Sequence, residues 1–146
     1  MFEINEKLAS DTIELMELPL SSVLLMKNSI LPWVVLVPRR LNIIEWYELE
    51  AYDAIDLQYE ISVVSRIMKE VFFANKINIG SLGNVVSQLH IHIVVRYFND
   101  ISWPNPVWGD SKVFNSQSNE LKLNEIKDKI VVELARCFKK NIMEKK

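Results

Sequence analysis

The spacing of the apolar residues changes along the chain, and this change limits the possible folds more than any other feature. Between residues 12 and 38 they form short runs such as WVVLVP (33–38), which are typical of buried strands. From about residue 56 to about residue 74 they recur every three or four positions, which predicts an amphipathic helix. The same spacing returns later and predicts a C-terminal helix over about 119–143.

These elements follow one another without regular alternation of strand and helix, so they predict an α+β domain. Further strands are expected at 12–18, 22–28, 76–82 and 86–97, and a loop at 99–117. We therefore expect an antiparallel sheet of about five strands, with one long central helix and a C-terminal helix on one face. Asp53 and Asp56 are candidate caps for the central helix. Without internal repeats or linkers, residues 1–146 are expected to form a single domain.

Composition excludes several classes of protein. The formal net charge of −2 argues against a general nucleic-acid binder, because such proteins usually carry a basic excess. No apolar run approaches the ~20 residues that cross a bilayer, so no membrane association is expected. A single cysteine, Cys137, cannot form an internal disulfide. The N-terminal residues include acids and lack a signal-peptide core, so we expect a cytoplasmic protein.

The segment QLHIHIVVR (88–96) contains both histidines of the chain, one residue apart. On a strand, alternate side chains point to opposite faces, so the apolar residues face the core: Leu89, Ile91, Ile93 and Val95. Gln88, His90 and His92 then share the other face. Residues two apart on a strand lie roughly 7 Å from each other, so both imidazoles can address one small ligand.

From these residues alone, three interpretations of the histidine pair stay open. The first is a solvated surface pair. The second is a metal site, but zinc would need a third and usually a fourth ligand, and the chain has no third histidine. The third is phosphate chemistry, in which an imidazole attacks phosphorus and a second one binds the phosphate.

A resemblance to a known family favours the third interpretation. GNVVSQLHIHIVVR resembles the signature of the histidine triad (HIT) superfamily, in which three histidines alternate with apolar residues after a glycine turn. VLLMKN with PWVVLVPR is similar to the family's nucleotide-side hairpin, and WPNPVWG (103–109) to a Trp-Pro-rich segment after the triad. The likeness covers about residues 10 to 110.

Two positions depart from the usual pattern. Gln88 stands where the first histidine of the triad is expected, and Trp33 stands where many members carry a further histidine. The sequence is similar to a bacterial-type branch with the form Gln-φ-His-φ-His. These two differences bear on the reaction rate and the substrate more than on the fold.

The resemblance implies hydrolysis of dinucleoside polyphosphates, such as diadenosine tetraphosphate, or of nucleoside phosphoramidates. His90 would attack phosphorus and form a nucleotidyl-histidine intermediate. His92 would bind a phosphate oxygen or the bridging oxygen, and Gln88 would orient His92. The chemistry needs no cofactor and no metal. The alternative is a catalytically weak nucleotide-binding module.

The resemblance also implies substrate-binding residues and a partner. Asn28 would bind a ribose hydroxyl, and Gly83 and Asn84 would bring backbone and amide close to a phosphate. Arg96 shares the strand parity of the histidines and would reach a distal phosphate. Trp103 and Trp108 would cover a base or a dimer seam, with buried packing as the alternative. The family implies a homodimer. The central helix is predicted to supply an extra apolar stripe for this dimer, since it carries Val63 and Ile67 beyond its main stripe.

Overall fold

The computed structural model describes residues 1–114 and 120–144. Its helices and strands follow one another without regular alternation, as expected of an α+β domain. They are α1 (Glu6–Asp11), β1 (Thr12–Glu17), β2 (Ser21–Met26), β3 (Trp33–Pro38), α2 (Ala51–Val71), β4 (Lys76–Gly80), β5 (Ile91–Arg96) and α3 (Glu120–Glu144). Within this part of the chain, no helix has both the length and the apolar content to cross a bilayer.

The five strands form one antiparallel sheet in the order β1-β2-β3-β5-β4. The predicted fold class, with its long central helix and C-terminal helix, is therefore confirmed. Strand β5, which carries His92, lies between β3 and β4, and Val35 of β3 is its direct partner at that residue. His92 thus lies on an internal strand of the sheet, next to the edge strand β4.

The two faces of the sheet have different coverings. On the helix face, α2 and α3 pack over a large apolar core that includes the predicted inward residues of the histidine segment: Leu89, Ile91, Ile93 and Val95. The opposite face, which carries His92, is called the site face. Here residues of β3 contact the N-terminal segment and the chain around residues 107–113. The resulting second cluster includes Phe2, Ile4, Leu8, Trp33, Val35, Val37, Val86, Val107 and Val113. The predicted alternation of β5 is therefore confirmed.

Helix α2 begins earlier than the apolar spacing indicates. It starts at Ala51, and its N-cap is Glu50, which makes no side-chain capping bond. Neither predicted cap is correct. Asp53 lies within the first turn and is buried, where its carboxylate accepts two bonds from Arg40, one of them 2.6 Å long. The first turn of the helix is thus anchored to the end of β3 by an ion pair rather than by a cap.

The predicted strand over 86–97 is too long, because β5 begins only at Ile91. The amide of Leu89 donates to the carbonyl of Ile43, outside the sheet, at 3.0 Å. The neighbouring strand ends at Pro38, which has no N–H to extend the ladder. Gln88 and His90 therefore lie in the extended approach to the strand.

The second apolar stripe of α2 faces the protein interior. Val63 and Ile67 are buried in the core that α3 completes with Ile130, Leu134 and Phe138. The prediction that this stripe marks a dimer interface is therefore wrong, since a second helix already covers it. The predicted loop over 99–117 consists of turns and a 3₁₀ turn as far as residue 114, and its remainder lies outside the described residues.

Candidate active site

His90 and His92 lie side by side on the site face. Their ring centroids are 4.9 Å apart, with the planes inclined at 75°. His90 is only 5% exposed and His92 is partly buried, so the pair is not a solvated surface feature. Among the residues that the structure describes, no group of three or more histidine, cysteine or acidic side chains could hold a metal ion.

A backbone carbonyl orients the ring of His90. Its Nδ1 lies 2.6 Å from the carbonyl oxygen of Gln88. Because a carbonyl can only accept, Nδ1 carries the proton, and Nε2 is left with its lone pair. The hydroxyl of Ser81 donates to the carbonyl of His90 itself at 3.1 Å, which fixes the backbone at this residue.

A tryptophan orients the ring of His92. The indole Nε1 of Trp33 donates to Nδ1 of His92 at 3.0 Å. An indole nitrogen only donates, so Nδ1 of His92 is the acceptor and its proton lies on Nε2. Burial, and secondarily the neighbouring His90, lowers the pKa of His92 to about 4, so the ring is neutral at neutral pH.

The side chain of Gln88 makes its hydrogen bonds with the N-terminal segment and not with His92, contrary to the prediction that it orients this ring. Its amide oxygen accepts from the backbone N–H of Asn5 at 2.8 Å, and its amide nitrogen donates to the carbonyl of Glu3 at 2.9 Å. The first triad position therefore clamps the N-terminal segment onto the site face, and Trp33 takes over the contact with His92.

The side chain of Arg96 is buried and bonded to other residues of the protein, so the prediction that it reaches a distal phosphate is wrong. It is 1% exposed and makes a two-pronged ion pair with Asp100, at 2.7 and 3.0 Å. Its remaining donors reach the side chain of Asn78 and the carbonyl of Asn105, at 2.7 and 2.9 Å. The guanidinium organises the turn that follows β5.

Of the two tryptophans predicted to cover a base, Trp108 lies beside the histidines, next to Trp33, and Trp103 does not. Trp103 packs against Phe98 and over the guanidinium of Arg96, which holds it with the ion pair. Trp108 has its ring centroid 5.9 Å from that of His92, and it lies so close to Gly80 that a Cβ there would be 3.0 Å from the indole. The absence of a side chain at Gly80 thus allows Trp108 to pack beside β5.

The other predicted ligand residues occupy exposed loops. Asn28 lies in the turn between β2 and β3 that leads to Trp33. Asn84 is exposed in the segment between β4 and β5, next to Gly83, whose φ of +71° is a backbone conformation that favours glycine. Their contact with a nucleotide stays a prediction.

Three hydrogen bonds of the site were not found from the sequence: the bond of Trp33 to His92 and the bonds of Gln88 with Asn5 and Glu3. Alternation along β3 places Trp33 on the face of Val35 and Val37, but only the pairing of β3 with β5 puts it beside His92. The contacts of Gln88 with Glu3 and Asn5 join residues more than eighty positions apart, and no local pattern indicates them.

The fold and the site together define a histidine triad type of protein, with a His-x-His pair on the face of the antiparallel sheet that α2 and α3 leave open. The chain belongs to the HIT family, because the HIT domain model matches residues 7–99. No curated protein matches it.

Solved structures agree with this assignment. A histidine triad protein from Marinobacter aquaeolei VT8 is 42% identical with a TM-score of 0.87, and the match covers 93% of this chain and 98% of that one. A histidine triad protein from Bradyrhizobium japonicum is 38% identical with a TM-score of 0.84, covering 90% and 97% of the two chains. The fold is also that of the Plasmodium falciparum diadenosine triphosphate hydrolase, at 16% identity and a TM-score of 0.58, covering 91% and 78%.

Proposed function

We propose that this HIT protein hydrolyses dinucleoside polyphosphates or nucleoside phosphoramidates through a nucleotidyl-histidine intermediate on His90. One observation carries the proposal: the Nδ1–H of His90 is bonded to the carbonyl of Gln88, which leaves the Nε2 lone pair as the reactive position. Family membership and a nucleotide hydrolase among the structural neighbours support the substrate class.

The reaction has two steps. Nε2 of His90 attacks the phosphorus and forms a P–N bond. The bond from phosphorus to the leaving group breaks, and the leaving group departs with the electron pair. The Nδ1–H remains bonded to the Gln88 carbonyl, which stabilises the positive charge on the ring. Water then attacks the phosphorus, the P–N bond breaks and restores the lone pair, and the proton of the water passes to solvent.

The substrate contacts are part of the proposal. His92, as a neutral N–H donor, would bind an oxygen of the phosphate or of the bridge. Asn84 is exposed and Gly83 is partly buried in the segment that precedes the histidines, where a phosphate would approach, and Asn28 would bind the ribose. Because the imidazole is the nucleophile, EDTA should leave activity intact apart from any Mg²⁺ bound to the substrate.

The covalent intermediate is the test. Wild-type protein mixed with diadenosine tetraphosphate and quenched without acid should gain the mass of one adenylyl group, which is adenosine monophosphate less one water, mapped to His90 by fragmentation. His90→Ala should show neither the mass gain nor turnover, while it still binds nucleoside monophosphate. Wild-type turnover by His90→Ala on every substrate that the parent cleaves would end the proposal.

A nucleotide-binding module without useful turnover is the second candidate. The observation that favours it is the use of Gln88 to clamp the N-terminal segment, since the triad then lacks an imidazole at its first position. Saturable nucleotide binding, with no cleavage of any adenylyl substrate by the wild-type protein, would establish this candidate instead.

We also propose a homodimer in the cytoplasm. Support comes from an exposed apolar stripe on α2, where Tyr52, Ile55 and Tyr59 share a face, and from β4, which is an edge strand of the sheet. Light scattering at micromolar concentration should give twice the chain mass. Ile55→Lys should shift the species toward the monomer, whereas a monomeric wild-type protein would refute the proposal.

A further inference from the structure

The two histidines of the site are held in opposite tautomers. His90 donates a hydrogen bond from Nδ1–H to a carbonyl and has a lone pair at Nε2. His92 accepts a hydrogen bond at Nδ1 from Trp33 and has an N–H at Nε2. Their rings are close enough for both Nε2 atoms to address one phosphate group. The pair therefore combines one nucleophile with one hydrogen-bond donor.

Trp33 is well placed to hold this arrangement permanently. Its indole is 2% exposed and is surrounded by Trp108, Phe114 and His92 in edge or tilted contacts. The indole nitrogen cannot accept a hydrogen bond, so the ring of His92 cannot place a proton on Nδ1 without losing its partner. A histidine at position 33, which is commoner in the family, could donate or accept and would not impose one tautomer.

The leaving group decides what the site needs from His92. A phosphate or polyphosphate departs as an oxyanion, which requires only a hydrogen bond to its developing charge. An amine departing from a P–N bond must take up a proton, because an amide anion is a very poor leaving group. With a pKa of about 4, His92 carries an extra proton in roughly one molecule in a thousand at pH 7, so it is a poor acid.

We propose that Trp33 is a positioning residue that locks His92 as a neutral Nε2–H donor, and that this lock makes the site selective for phosphoric anhydrides over phosphoramidates. The selectivity rests on the proposed hydrolysis through His90. The lock itself does not, because it is a property of the protein without substrate.

The lock is tested first by ¹⁵N NMR of the substrate-free protein, whose only imidazoles are those of His90 and His92. The wild-type protein should show His90 with its proton on Nδ1 and His92 with its proton on Nε2. In Trp33→Phe, which keeps an aromatic ring but removes the donor, His92 should become a tautomer mixture and titrate at higher pH. A wild-type His92 protonated on Nδ1 would overturn the lock.

Trp108→Phe is the matched control. It removes an indole N–H from the same aromatic cluster, and that N–H has no hydrogen-bond partner among residues 1–114 and 120–144. The tautomer of His92 should be unchanged in this variant. An equal loss of the tautomer in Trp108→Phe would show that packing, not the donor of Trp33, holds the ring.

Selectivity is tested with two substrates that transfer the same adenylyl group, diadenosine tetraphosphate and adenosine 5′-phosphoramidate. The wild-type ratio of kcat/KM should favour the anhydride. Trp33→Phe should lower kcat on the anhydride about 10-fold, less than the loss of a whole donor. Trp33→His should bring the kcat/KM values for the anhydride and the phosphoramidate closer together. It also serves as a second variant if Trp33→Phe does not fold.

The outcomes separate the two proposals. Equal or faster cleavage of the phosphoramidate by the wild-type protein would refute the selectivity while leaving hydrolysis through His90 standing. Absence of cleavage of both substrates would refute the proposed hydrolysis and the selectivity together. The NMR result would still show whether Trp33 holds His92 in the Nε2–H tautomer.

Discussion

His90 and His92 are the same kind of side chain two positions apart, and their partners give them different chemistry. A carbonyl beside one ring and an indole beside the other leave a lone pair on the first Nε2 and a proton on the second. Loss of the lone pair removes the bond-forming atom, whereas loss of the proton removes one stabilising contact. The consequences of replacing the two residues should therefore be unequal.

His90→Ala should lower kcat by several orders of magnitude with nucleotide affinity retained, because the nucleophile is gone. His92→Ala should lower kcat by about 10²–10³-fold, the scale of losing one positioned donor in the transition state. Steady-state kinetics with parallel calorimetric binding of adenosine monophosphate would measure both. Equal losses in the two variants would contradict the separate roles.

Gln88→His, which restores the commoner triad residue, should loosen the N-terminal segment. The amide of Gln88 donates and accepts side by side, toward Glu3 and Asn5, and the two ring nitrogens of histidine point too far apart to do both. We expect a loss of about 1 kcal/mol in unfolding free energy and faster hydrogen exchange at the amide of Asn5. Unchanged exchange at Asn5 would contradict the clamp.

Gln88→Glu is the matched control for this prediction. A carboxylate can still accept from the N–H of Asn5 but cannot donate to the carbonyl of Glu3. The amide of Asn5 should stay protected in Gln88→Glu and become unprotected in Gln88→His. The clamp thus divides into two bonds that can be measured separately.

At the scale of the elements, the end of β5 depends on the buried ion pair of Arg96 with Asp100. Arg96→Ala would leave a buried carboxylate without its partner, which costs about 3–5 kcal/mol in unfolding free energy. Arg66→Ala on the exposed surface of α2 is the control and should change stability by less than about 0.5 kcal/mol. Urea denaturation measures both, and weakened nucleotide binding with unchanged stability would instead restore a phosphate-binding role for Arg96.

The type and order of the five strands and the two long helices could be predicted because apolar spacing reports directly on them, whereas the short helix α1 was missed. The alternation of Leu89, Ile91 and Ile93 located the buried face of β5, and the same parity placed His92 on the opposite face. The ends of the elements were less predictable, because tertiary contacts decide them. The amide of Leu89 bonds to Ile43 rather than to the sheet, and nothing near residue 89 in the sequence indicates that.

The candidate site was predictable in its centre and not at its edges. A short motif located His90 and His92, since both lie on one segment. Arg96 has the parity of the histidines but its charge is satisfied by Asp100, four residues along the chain, and parity cannot reveal such a partner. The contact of Trp33 with His92 depends on which strands are neighbours, which spacing alone does not determine.

At the scale of the whole molecule, the sheet divides the protein into a stabilising side and a chemical side. The helix face buries a large apolar core under α2 and α3. The site face is covered by a smaller cluster and by the N-terminal segment that Gln88 holds. Burying His92 on this second face links the ionisation of one side chain to the stability of the entire fold.

That link predicts how stability depends on pH. An unfolded histidine takes up a proton near its ordinary pKa of about 6.5, whereas folded His92 does so only near pH 4. Between these values the unfolded chain binds more protons, so the free energy of unfolding falls as the pH falls. The total loss attributable to His92 should be about 3 kcal/mol between pH 6.5 and pH 4, with no contribution above pH 7.

Urea unfolding at fixed protein concentration, repeated from pH 8 to pH 4, would measure this dependence. His92→Gln cannot take up the proton, and it retains the other groups whose pKa is shifted, such as Asp100 and Glu60. Subtracting its pH curve from that of the wild-type protein therefore isolates His92. The difference should be flat above pH 7 and should decline by about 1.2 kcal/mol per pH unit between pH 6 and pH 4.5. Parallel curves for the two proteins would show that His92 takes up its proton as readily in the folded chain as in the unfolded one, and that its burial beside Trp33 does not hold it neutral.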